Sequence, residues 1–339
     1  MSRPPSSSSA RTDATDRAYR RRADHLLRRW RKERRGQTAS PFDFVNWLLD
    51  VLEGVKPASF RQYKAAALAH LPQMFDGSGE LDLAMDRLRA AHAKPNRHLP
   101  PRTSARKMRF LPQEDWERLR DWLLAGVAVG DGVDAAKASV ITPAALEAWC
   151  RATLLCALRP TEWAKAECRE EGHRLIVIVR NAKATQGRSH GETRTLVFEE
   201  LDGSEREAIS ATIELARAWA ARGKSAVLQK LVADALYRAA RAALGRREAY
   251  PSLYTFRHQA IANWKTERDA VEVAALCGHA RTKTAARHYA ARRYAWRRGR
   301  PKAAMPSPAD VQAVRFLNPS LAEPGSAPVP SANVTTPGR

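Results

Sequence analysis

Apolar residues recur at three- and four-residue intervals through most of the patterned stretches of this chain, and two short stretches follow a different rhythm. Leu175-Ile176-Val177-Ile178-Val179 is a β-branched run, and after a polar turn region comes Thr193-Arg194-Thr195-Leu196-Val197-Phe198. A helix repeats its buried face every 3.6 residues and a strand every two, so the two patterns are not interchangeable. The chain is therefore expected to be mainly α with a small antiparallel β-sheet: an N-terminal helical bundle followed by an α+β domain that carries the strands.

Along the sequence, residues 1–13 are rich in Ser and Pro and read as a disordered tail. A domain at 14–93 then holds four amphipathic helices. The first, at 15–35, has an apolar stripe of Tyr19, Ala23, Leu26, Leu27 and Trp30, and arginines fill its other faces. Ser40-Pro41 caps the second, Ser59 opens the third, and the fourth runs over 81–93. Residues 94–109 contain three prolines and six Lys/Arg without periodicity, which suits an extended basic linker. The second domain spans 110–300 and includes a loop at 126–132. A tail at 301–339 has a short amphipathic helix near 309–317 before a disordered end.

Charge narrows the partner. With 58 Lys+Arg against 36 Asp+Glu, the formal net charge is +22. A surplus of that size favours a polyanion, and double-stranded DNA is the expected one. Arg20, Arg21, Arg28, Arg61 and Lys64 of the bundle, with Arg97 and Arg102 of the linker, are the candidate phosphate contacts. No apolar run approaches the length of a membrane span, so no membrane partner is expected. The N-terminus lacks a signal-peptide core, which points to the cytoplasm. Cys150, Cys156, Cys168 and Cys277 have no metal-site spacing and read as reduced structural thiols.

Chemistry is concentrated in the second domain. The helix at 143–158 delivers Arg159, where Pro160 disfavours helical geometry, and Glu162 is placed to orient the guanidinium. Near the C-terminus, Arg257 lies in a helical pattern, Gly278 is a helix terminator that sets His279 on a turn, and Tyr289 follows on a basic helix. Guanidinium, imidazole and phenol together are suited to holding and attacking a phosphodiester. Tyr294 is the rival nucleophile, and His258 beside Arg257 reads as a packing residue.

Ala157-Leu158-Arg159-Pro160-Thr161-Glu162-Trp163, Lys183, Tyr254-Thr255-Phe256-Arg257-His258, Leu276-Cys277-Gly278-His279 and Arg287-His288-Tyr289 occur in this order. In that order and spacing, over roughly the C-terminal two-thirds, the chain resembles the tyrosine site-specific recombinases, the phage-integrase family. The resemblance implies a catalytic domain of that fold. It also implies Tyr289 as nucleophile, Arg159, Arg257 and His279 on the scissile phosphate, and Lys183 as general acid. Tyr254 stands where the family has a histidine, and Glu162 supports Arg159. The N-terminal bundle would dock on DNA opposite the catalytic domain, and a C-terminal segment commonly docks on a neighbouring protomer.

The resemblance further implies site-specific strand exchange through a 3′-phosphotyrosyl intermediate, with no cofactor and no metal. It implies a homo-tetramer on paired sites, an accessory directionality factor as a further partner, and a mobile element as the setting. Two other readings remain open on the residues alone. One is DNA relaxation of the type IB topoisomerase kind, and the other is a basic DNA-binding protein whose Tyr289 is structural.

Overall fold

A computed structural model describes residues 13–34, 40–93, 108–128, 141–182, 184 and 189–316. Lys183, Arg97 and Arg102 lie outside the described residues, as do most of the expected linker and the far ends of both tails. The chain divides into two compact units, with the boundary between Arg106 and Lys107.

The first unit is built from α1 (Asp13–Glu33), α2 (Pro41–Glu53), α3 (Pro57–Met74) and α4 (Leu81–Ala90). Their apolar stripes meet in a core of Leu26, Trp30, Phe44, Leu48, Leu52, Phe60, Leu71 and Leu88. Trp30 packs edge-on to Phe44 and Phe75 at its centre. Ser40 caps α2 with its hydroxyl, accepting from the amides of Phe42 and Asp43. The third helix starts two residues before the expected Ser59, because Pro57 occupies its first turn, where a missing N–H costs nothing. Arg20, Arg21, Arg28 and Arg61 are exposed. Lys64 is half-buried, and its ammonium donates to the carbonyls of Arg89 and Ala91, each at 2.7 Å, closing the end of α4.

The second unit contains α5 (Gln113–Ala128), α6 (Pro143–Cys156), β1 (Ala166–Glu171), β2 (Arg174–Arg180), β3 (Thr193–Phe198), α7 (Gly203–Ala221) and α8 (Ser225–Leu244). After them come α9 (Leu253–Trp264), α10 (Ala270–Cys277), α11 (Thr282–His288), β4 (Met305–Pro306) and α12 (Pro308–Phe316). The expected loop at 126–132 does not start at Gly126, which α5 carries within its last turn, and its remainder from 129 lies outside the described residues. The sheet is antiparallel in the order β1-β2-β3-β4, so the mainly α fold with a small antiparallel sheet is observed.

Two of its four strands have no signal in the sequence. β1 reads AECREE and pairs as an edge strand whose outer residues stay in water, so it shows no apolar alternation. β4 is two residues long and includes a proline, which an edge tolerates. Leu175, Val177 and Val179 of β2 pack with Leu196 and Phe198 of β3 against the core that also holds Trp149, Trp163, Phe256 and Trp264. Within this unit α12 packs on α10 of its own chain, through Val311 and Val314 against Val271, Ala274 and Ala275. No helix among the described residues is long and apolar enough to cross a membrane.

Candidate active site

The site begins where α6 stops. Ala157 takes a left-handed conformation at φ 48°, closing the helix two residues ahead of Arg159. The chain then turns back on itself, with the amide of Glu162 donating to the carbonyl of Arg159 at 2.8 Å. Glu162 faces the arginine that precedes it. Its Oε2 accepts from the Arg159 amide at 2.8 Å, and its Oε1 accepts from Arg159 Nη1 at 2.5 Å.

Glu162 is fully buried, and it binds more than Arg159. Arg194 on β3 donates to Oε2 at 2.8 Å, and Arg257 Nη1 on α9 lies 3.8 Å from the same oxygen. The amide of Ala182 adds a bond to Oε1 at 3.2 Å. Burial by itself raises the Glu162 pKa, but the charges of Arg194, Arg257 and Arg159 reverse the sign and hold the carboxyl well below its usual range. Three buried guanidiniums therefore share one carboxylate, leaving a surplus of positive charge in a site shielded from water.

Arg194 had no place among the expected site residues. It is buried on the sheet, and its second partner is Asn181 Oδ1 at 2.5 Å, while Asn181 donates to the carbonyls of Gly191 and Thr193. The alternation of β3 was its one available signal: Arg194 lies in register with Val179 and Leu196 flanks it on the buried side, where a charged residue needs a reason.

Arg257 is fully buried in the second turn of α9. Burial opposes its charge, yet the Tyr289 oxygen and Glu162 outweigh that and hold the guanidinium firmly protonated. It donates to the carbonyl of Ala157, and to that of Cys277 at 3.3 Å. Its Nε and Nη2 also donate to Tyr289 Oη at 3.3 and 3.2 Å, with the guanidinium carbon 5.2 Å from the ring centre.

His279 follows Gly278, which closes α10 at φ 69° in the glycine-terminated arrangement expected from the sequence. The His279 amide donates five residues back to Ala274 at 2.8 Å. The imidazole is buried with its ring centre 5.3 Å from that of Tyr289, and neither ring nitrogen has a hydrogen-bond partner. Burial, then the charges of Arg257, Arg159 and Arg194, push its pKa well below the usual value, so it is neutral at pH 7. A buried imidazole with two unpaired nitrogens beside surplus positive charge has the polarity of a site made for an anionic oxygen.

Tyr289, partly buried just past α11, is thus in contact with Arg257, His279 and a third group. That group is His258, whose ring centre lies 4.9 Å from that of Tyr289 and whose pKa is lowered to about 4 by burial and then by Arg257, Arg109 and Lys265. Tyr254 is not in this cluster. It sits one turn before Arg257 on α9 with 48% of its surface exposed. Tyr294 is occupied elsewhere, stacked on Phe110 at 4.2 Å between ring centres. The structure so gathers Arg159, Glu162, Arg257, His279 and Tyr289, adds Arg194 and His258, and leaves Tyr254 at the surface.

No protein-family model and no curated protein matches the chain. Among solved structures it is similar to a lambda integrase (75-356) dimer bound to a COC′ core site, with 14% identity, 87% of this chain and 93% of that chain covered, and a TM-score of 0.46. It is also similar to the XerH site-specific recombinase bound to palindromic difH substrate in a post-cleavage complex, at 13% identity over 79% and 74% of the two chains and a TM-score of 0.45. A third is XerA recombinase, at 12% identity over 91% of this chain and 99% of that one and a TM-score of 0.31.

Proposed function

We propose that this chain is a site-specific DNA recombinase that cuts and rejoins strands through a tyrosine ester. The observation that carries the reading is the cluster in which Arg159, Arg194 and Arg257 share the single carboxylate of Glu162 while Arg257 bonds the hydroxyl of Tyr289. The surplus charge calls for an anion, and the phenol beside it is a nucleophile for that anion's phosphorus. A phosphodiester satisfies both.

In this reading the substrate is double-stranded DNA. Arg159 and Arg257 hold the non-bridging oxygens, and neutral His279 donates one further bond. The Tyr289 oxygen attacks phosphorus, and its proton passes to solvent water as the bond forms. The bond from phosphorus to the 5′ oxygen breaks, and that oxygen takes a proton from Lys183. The products are a 3′-phosphotyrosyl ester and a free 5′ hydroxyl. A 5′ hydroxyl from a second duplex reverses the step, so the ester conserves the bond and no nucleotide cofactor is consumed. Exchange between two duplexes requires four cuts, hence four protomers on paired sites, with an accessory factor setting direction.

The test is a denaturing gel of protein incubated with nicked duplexes covering the DNA around its own gene. Wild type is expected to form a protein–DNA adduct and Tyr289→Phe none. An adduct that persists in Tyr289→Phe moves the nucleophile to another tyrosine. Binding without any adduct from wild type refutes the enzyme.

A further inference from the structure

Tyr289 lies just past α11, a helix of seven residues, too short to hold its own shape without tertiary support. The support comes from α9, the helix that carries Arg257. Lys265 caps the end of α9, is half-buried, and directs its ammonium across to the nucleophile's segment. Its Nζ donates to the carbonyl of Ala285 at 3.0 Å and to that of Ala290 at 2.7 Å.

The two carbonyls have different standing. Ala285 contributes one of the last four carbonyls of α11, which lack partners in the helix and commonly attract a lysine. Ala290 lies beyond the helix, so ordinary capping does not account for the second bond. Between the two stands Tyr289, whose own backbone is extended at φ −119°, ψ 165°. Farther on, Gln259 Nε2 donates to the carbonyl of Tyr294 at 2.9 Å, and Asn263 Oδ1 accepts from the Trp296 amide at 3.0 Å. The strap from 285 to 296 is thus tied along α9, and the ties that bracket the tyrosine are those of Lys265.

We propose that Lys265 is a positioning residue for the nucleophile: its ammonium staples both backbone arms of Tyr289 to the helix that carries the phosphate-binding Arg257. The phenol and the phosphate site then share one rigid support. A compact ammonium with rotatable donors suits two diverging carbonyls, whereas the planar fork of arginine does not. This rests on the reading of Tyr289 as the attacking group.

The experiment measures single-turnover adduct formation by the full-length protein on the nicked duplex, with DNA concentration varied. Lys265→Met keeps the aliphatic stem and removes the charge. Its adduct should form about 10- to 100-fold more slowly at saturating DNA, the size of effect expected when a reacting group shifts by about 1 Å. The half-saturating DNA concentration should stay that of wild type. Lys265→Cys should be equally slow and should recover after aminoethylation with 2-bromoethylamine, which rebuilds an ammonium of the same reach; wild type given the same treatment controls for the four native cysteines.

A wild-type rate in Lys265→Met overturns the proposal. So does a parallel fall in affinity and thermal midpoint, which would make the lysine a support of the fold alone, and so does a failure of aminoethylation to restore the rate. If wild type itself forms no adduct, the reading of Tyr289 fails and the staple falls with it, a result distinct from the other three.

Discussion

Around Glu162 the chain has arranged a deficit: one carboxylate for three buried guanidiniums, and beside them two imidazoles held neutral. A buried charge without full compensation is costly, and the cost is offset when a complementary anion enters. The same surplus sets how the site responds to acid. His258 has a folded-state pKa of about 4 against an ordinary 6.5, through burial and then the charges of Arg257, Arg109 and Lys265. The unfolded chain therefore binds the proton first. Its neutral form costs nothing above pH 6.5, and stability is lost as the pH falls from 6.5 towards 4. His258→Phe keeps a ring against Tyr289 and removes that titration, so urea midpoints measured across this range should fall less steeply than in wild type. His279 shifts in the same direction and leaves a residual slope. Identical slopes in the two proteins would mean that His258 is not desolvated as the structure has it.

At the scale of elements, the site is made by ends. The left-handed stop of α6 presents Arg159, the second turn of α9 presents Arg257, and the glycine stop of α10 presents His279. Gly278 has two separate reasons to be glycine. Its φ of 69° disfavours any side chain, and a Cβ there would lie 2.1 Å from Asn181 Oδ1 and 3.2 Å from Arg194 Nη1. Asn181 cannot swing away freely, because Arg194 and the carbonyls of Gly191 and Thr193 hold both ends of its amide. Gly278→Ala should therefore cost more than the roughly 1 kcal/mol expected of the backbone conformation alone. In a double-mutant cycle with Asn181→Ala the two losses should be less than additive, since removing the amide opens the space. Strict additivity in urea denaturation would show that the contact between α10 and the β2 end is slack.

At the scale of the whole molecule, the proposed function joins a charge of +22 to a polyanion, so binding to DNA would be a matter of counterion release. Arg20, Arg21, Arg28 and Arg61 are exposed, and each one that meets a phosphate contributes about 0.9 to the slope of log K against log salt concentration. Replacing all four with alanine should flatten that slope by up to about 4 in fluorescence anisotropy on duplex DNA. Lys64→Met should leave the slope unchanged, because the Lys64 ammonium is already committed to the carbonyls of Arg89 and Ala91. A slope indifferent to the four arginines would take the first helix out of the interface. What the sequence by itself determined was what local chemistry encodes within a turn or two: the helices, the stop at Gly278, the pairing of Arg159 with Glu162, and the basic surface. The tertiary structure alone decided which distant groups meet. Arg194 reaches Glu162 across 32 residues only because β3 lies beside β2, and Lys265 reaches Ala290 across 25 because α9 runs under the strap. The charged edge strand β1 likewise forms because β2 offers it a ladder. Periodicity records which face of an element is buried, whereas the partner of a buried charge is fixed only when the elements pack.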